Sequence, residues 1–185
     1  NMKKILFLAV ITIASAVVST AQTAKPVEGL EIGNIAPDLK FKNPEGKEIA
    51  LSSLRGKIVL IDFWASWCGP CRKELPGLNA LQNAVGTEFI QVVAVNSKED
   101  NETVRAIMRQ LKDRKLVSSF DRSGDIGESF GVNAFPNLWI IDPEGVIVMH
   151  KVGYVEDSLK SIIAEIIETL KVHNPEALDK PIRKT

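Results

Sequence analysis

The stretch IVLIDFWASWCGPCRKELP, residues 58–76, joins a continuous apolar run to the start of a helix and sets the chain's two cysteines at the joint. Residues 58–64 are strand formers without polar alternation, as expected of a central strand covered on both faces, and Asp62 is the one acid among them. Helical character begins at Gly69 or Pro70, because proline suits a first helical turn, and ELPGLNALQNAV continues it with apolar residues at helical spacing. Pro76 should kink that helix. Cys68 and Cys71 therefore lie at the carboxyl end of a strand, where open α/β sheets usually site their chemistry.

Outward from this stretch, strand-like and helix-like runs alternate. Residues 39–42 and 47–51 flank the turn sequence NPEG and read as a small hairpin ahead of the main sheet. FIQVVAVN (89–96) is a second buried strand, residues 101–114 form an amphipathic helix, 116–120 a short strand and 126–130 a short helix. Strands at 137–141 and 146–151 are joined by the turn DPEG, and residues 156–171 form the last helix. This order predicts an α/β domain with a central mixed sheet, helices on both faces and an N-terminal β-hairpin extension.

The first residues read as an address. Lys3 and Lys4 precede an apolar run from Ile5 to Val18 and the small residues Ser19-Thr20-Ala21, the pattern of an export signal cut after Ala21. Asn1 ahead of Met2 reads as a cloning remnant. The expected organisation is a signal peptide at 1–21, a linker at 22–31, a domain at 32–171 and a flexible tail at 172–185; an uncleaved signal would instead anchor the chain in a membrane. Export puts the domain outside the cytoplasm, periplasmic or otherwise, where disulfides persist. The 23 basic and 23 acidic residues balance and no basic cluster stands out, which argues against nucleic acid as a partner.

Two cysteines in an exported chain can serve several ends. A structural staple across three residues closes so small a loop that it contributes only about 2 kcal/mol. Zinc needs four ligands, and the chain adds only His150 and His173 to the two thiols. A copper carrier using both thiolates and His150 is an alternative. Reversible redox chemistry explains the spacing best: Cys68, just ahead of a helix, meets unpaired N–H groups and the positive end of the dipole, which favour its thiolate. Cys71, one turn further on, is placed to attack the mixed disulfide that Cys68 forms.

DFWASWCGPC with Pro76 beyond it, FPNLWIID and KVGY occur in the order in which they stand in thioredoxins, and the chain resembles that fold. The front portion IGNIAPDLKFKNPEGKEIALSSLRGK and the longer segment between Phe89 and Phe120 resemble the exported TlpA and ResA branch. The resemblance covers about residues 32–171. It implies a thiol-disulfide oxidoreductase without cofactor or metal, with Cys68 and Cys71 as a redox-active disulfide and Asp62 as the buried acid that takes a proton from Cys71. Glu74 matches an active-site glutamate of the ResA branch, although a solvated acid at a helix start is an equal account of it. Pro136 matches the cis proline facing the cysteines, and Trp67, Gly69, Pro70, Phe135 and Pro136 would form the substrate-docking surface.

The sequence departs from the pattern twice. Phe135 stands before Pro136 where a small or β-branched residue is usual, and FIQVVAVN lacks the lysine that thioredoxins place near the buried acid. Peroxiredoxins share the fold, but their proline-x-x-x-threonine-x-x-cysteine pattern is missing: Ile61 and Ala65 occupy its positions ahead of Cys68. The expected activity is reduction of disulfides in exported proteins, with apocytochrome c a candidate substrate, a membrane-bound electron donor and a monomeric state. A copper carrier, a non-catalytic adaptor of the same fold and a peroxidase remain the alternatives.

Overall fold

The computed structural model describes residues 29–179 apart from 44, 45, 100, 112 and 156, so the expected signal segment lies outside the described residues. Strands β1 (Lys40–Lys42) and β2 (Glu48–Ala50) pair antiparallel as the N-terminal hairpin. The main sheet holds β3 (Ile58–Trp64), β4 (Ile90–Ser97), β5 (Val117–Asp121), β6 (Asn137–Ile141) and β7 (Ile147–Val152) in the order β5-β4-β3-β6-β7. β3, β4 and β5 run parallel, while β6 and β7 are antiparallel additions. Helices α1 (Gly69–Val85), α2 (Asn101–Met108), α3 (Asp125–Ser129) and α4 (Ser158–His173) complete the chain. No helix among the described residues is long and apolar enough to cross a membrane.

β3 is buried along its whole length because both faces of the sheet are covered. Its side chains alternate between two cores. Ile58, Leu60 and Trp64 pack with Leu75 and Leu78 of α1, Val104 and Met108 of α2, and Ile162 and Ile166 of α4. Val59, Ile61 and Phe63 pack on the other side with Phe41 of the hairpin, Leu51, Leu54 and Phe130. Each such side chain contributes about 1.5–3 kcal/mol on burial, which lets the strand carry Asp62, turned toward the α1 side.

One helix ends well short of expectation. α2 ends at Met108, not near residue 114, because Gln110 and Leu111 bond three residues back and Asp113 adopts a left-handed φ of 45°. The Asn83 side-chain amide donates to the Asp113 carbonyl at 3.0 Å and fixes that turn. α1 runs uninterrupted through Pro76. At the other end of the chain α4 continues to His173, whose Nδ1 lies 2.8 Å from Glu144, and a short 3-10 turn follows at Pro175–Ala177.

Candidate active site

Cys68 caps α1. Its backbone is extended (φ −77°, ψ 100°), its Sγ accepts from the Cys71 N–H at 3.2 Å, and Pro70 sits in the first turn where no N–H is required. The helix cannot start earlier because the loop 65–68 closes first, with Cys68 N–H donating to the Ala65 carbonyl. Cys68 and Cys71 form a disulfide with Cα atoms 5.3 Å apart. Cys68 keeps 5% of its surface exposed and Cys71 none, so an incoming nucleophile or disulfide reaches Cys68 first. Once reduced, Cys68 would hold its charge against the helix N-terminus.

Aromatic side chains frame the approach. Trp67 is 71% exposed and half-buried Phe135 meets it edge to face. The Phe135–Pro136 bond is cis, and the Pro136 carbonyl accepts from Gly153 N–H at 2.8 Å. Asn137, next in sequence, pairs with Phe63, so this turn lies at the same end of the sheet as the cysteine loop. A cleft of about 540 Å³ runs from Trp67 and Phe135 past Val132 and Asn133 to Glu99 and Glu128. Gly69 and Pro70 open α1 between the two cysteines and are not among the residues that line this cleft.

β3 and α1, which flank the disulfide, each carry one buried carboxyl group. Asp62 is fully buried, and neither of its oxygens has a hydrogen-bond partner among the described residues. Burial pushes its pKa well above the usual carboxylate range, and the nearby Glu74 charge adds to the rise. Glu74 is only 1% exposed, which removes the solvated-acid account. Burial lifts its pKa to about 7 against the pull of the Lys151 ammonium. Two carboxyls whose pKa values are raised by burial, held on β3 and α1 on the side of the sheet where Cys71 lies, are suited to take and give protons.

Some residues gathered here could not be picked from sequence. Glu99, in the loop after β4, accepts from Ser66 N–H at 2.5 Å, from the Ser66 hydroxyl, and from Asn96 Nδ2 at 2.7 Å, tying down the loop just ahead of Cys68. Only a contact across 33 positions reveals it. His150, by contrast, is not brought to the cysteines. Its ring stacks on Trp139 at 3.6 Å on the opposite face of the sheet, and its Nε2 lies 3.1 Å from Asn137 Oδ1, which takes the third ligand from the copper alternative. Ile61 and Ala65, where a peroxidase pattern needs proline and threonine, are fully buried apolar residues.

Comparison with known proteins agrees with this geometry. The AhpC/TSA family model matches residues 32–150. The thiol-disulfide oxidoreductase ResA of Bacillus thuringiensis subsp. konkukian is 32% identical over 140 residues, which cover 73% of this chain and 80% of ResA. Among solved structures, one from Chlorobium tepidum assigned as a thiol:disulfide interchange protein DsbE is 31% identical with a TM-score of 0.71, covering 77% of this chain and 99% of that one. The thioredoxin domain of a thiol-disulfide oxidoreductase from Bacteroides vulgatus is 26% identical with a TM-score of 0.64, covering 75% and 99%.

Proposed function

This chain belongs to the AhpC/TSA family and is a thiol-disulfide oxidoreductase of its ResA-like branch, and we propose that it works outside the cytoplasm as a reductant of protein disulfides. The observation that carries this is the placement of the Cys68–Cys71 disulfide at the N-terminus of α1, whose next turn carries buried Glu74 and whose neighbouring strand β3 carries buried Asp62. The Cys68 thiolate attacks one sulfur of a partner disulfide, a mixed disulfide forms, and the partner's other sulfur leaves as a thiolate. Cys71 then gives its proton to the Asp62–Glu74 pair and attacks Cys68 Sγ. That closes the Cys68–Cys71 bond and releases the partner's second sulfur as a thiolate. Two electrons have passed from the dithiol to the partner, whose sulfurs take up protons.

Trp67, Gly69, Pro70, Phe135 and Pro136 form the docking surface in this scheme. The lysine pair and apolar run in residues 1–21 support export, and the ResA-like front portion supports a place in cytochrome c maturation, with apocytochrome c as the disulfide substrate. A membrane-bound dithiol donor would return the protein to its reduced state. A redox titration of the cysteine pair tests the direction. A midpoint near thioredoxin's, about −270 mV, is expected, and one near that of DsbA, about −120 mV, would make the protein an oxidant.

A further inference from the structure

Lys151 opens the KVGY segment, which the thiol chemistry leaves unused. In β7 it pairs with Leu138 of β6, Leu138 pairs with Asp62 of β3, and Asp62 pairs with Ala94 of β4. Opposed residues on neighbouring strands share a face of the sheet, so Lys151 and Asp62 stand in one row on the side covered by α1 and α4. Two strand spacings, about 10 Å, separate their backbones, and a lysine stem spans much of that gap.

The ammonium is held in place from α4. Lys151 Nζ donates to Ser161 Oγ at 2.9 Å, and Ser161 Oγ donates to the Ser158 carbonyl at 2.8 Å. The start of α4 also comes unusually close to α1: a Cβ on Gly77 would stand 2.5 Å from Leu159 Cδ1. Gly77 lies about one helical turn past Glu74, so the close approach brings the Lys151–Ser161 contact toward the part of α1 that carries the glutamate. β4 supplies no cation on this side. Ala94 and Leu138, the residues paired with Asp62 on β4 and β6, are neutral; Cys71 shares α1 with Glu74, and the Ser161 hydroxyl of α4 holds the Lys151 ammonium.

We propose that Lys151 is a positioning residue for the proton step: its ammonium, clamped by Ser161, sets the charge state of the Asp62–Glu74 pair and so the pH range in which Cys71 can surrender its proton. The inference rests on the roles given above to Asp62 and Glu74. Lys151 is the charge that draws Glu74 down against its burial, so its loss leaves the carboxyl protonated to higher pH.

The test is the pH profile of insulin-disulfide reduction by the reduced protein, compared for the parent, Lys151→Met, Lys151→Arg and Glu74→Gln. Lys151→Met should move the acid limb up by about one pH unit, a loss of roughly tenfold at pH 6 that closes by pH 9. Lys151→Arg should restore the parent profile, and Lys151→Met should shift the Glu74→Gln profile less than half as far. In the oxidised protein the Glu74 side-chain carbon signal should titrate at higher pH in Lys151→Met, a readout independent of turnover. A parent-like limb, or an equal loss at every pH, overturns the role of Lys151 while leaving that of the carboxyls. Glu74→Gln and Asp62→Asn profiles identical to the parent would overturn both.

Discussion

Trp67 and Phe135 meet edge to face with ring centroids 5.9 Å apart and planes inclined at 69°. One ring comes from the loop ahead of Cys68, the other from the residue ahead of the cis Pro136, so a single contact joins the two loops that border the disulfide. The rings differ in setting: Trp67 is exposed, whereas Phe135 packs against both cores of the domain. Phe135 is thus a fixed wall beside the disulfide, and Trp67 the exposed ring that the proposed docking would present to a partner.

Replacing Phe135 with threonine, the kind of residue the fold usually holds there, should reshape docking more than electron exchange. The lost aromatic pair and packing should cost about 1–3 kcal/mol in urea unfolding. The ratio of kcat/KM for a protein disulfide to that for a small one such as glutathione disulfide should change by about tenfold or more, equivalent to about 1.4 kcal/mol. An unchanged ratio would show that Phe135 has no part in choosing partners.

Glu74 should make the oxidised protein less stable as pH rises. Its folded pKa of about 7 lies above the ordinary value of 4.5, so the folded state binds more protons between these pH values. The stability contributed by the neutral carboxyl is complete below about pH 4.5 and is lost as pH rises through 7. Glu74→Gln should unfold close to the parent at pH 4.5 and be more stable at pH 8, by about 3 kcal/mol at most. Asp62, also raised, acts in the same direction. Urea melts at the two pH values decide it, and equal differences at both would refute a titrating Glu74.

Asp62→Asn should separate stability from turnover. It removes a buried acid that lacks a hydrogen-bond partner, so the oxidised protein should be at least as stable as the parent at pH 8. The step in which Cys71 resolves the mixed disulfide should slow by about 10²-fold, within the usual span for losing a general base. Stopped-flow measurement should show the mixed disulfide accumulating, as it should to completion in Cys71→Ser. A resolving rate within twofold of the parent would leave Asp62 a purely structural acid.

Which of these features could be read in the chain itself follows from their range. IVLIDFW declared a two-sided central strand, and an acid within it stood out because burial there is costly. The start of α1 was equally legible, since Cys68, Gly69 and Pro70 satisfy local rules of capping. The burial of Glu74 was not: an acid in the first turns of a helix is favoured in solvent as well, and only the resemblance to the ResA branch singled it out, whereas its 1% exposure is set by the packed fold. The end of α2 was hidden for a similar reason, because Leu111 keeps the apolar period after the backbone has left the helix at Met108.

The last prediction concerns Glu99, whose contacts are long-range in sequence. Its carboxylate receives the Ser66 N–H and hydroxyl and the Asn96 amide, three hydrogen bonds to one charged acceptor in a partly buried place. Bonds to charged groups contribute about 1.5–3 kcal/mol each, and removing the acceptor leaves the Ser66 and Asn96 donors to be satisfied elsewhere. Glu99→Ala should therefore destabilise the fold by about 2–4 kcal/mol, and Ser66→Ala, which keeps the backbone N–H bond, by about 1 kcal/mol. Because Ser66 lies two residues ahead of Cys68, the freed loop should also raise KM for protein disulfides in Glu99→Ala and leave it nearly unchanged in Ser66→Ala. Urea unfolding and insulin reduction on both variants measure the two effects. A Glu99→Ala protein with parental stability and KM would show that the clamp does not hold the cysteine loop.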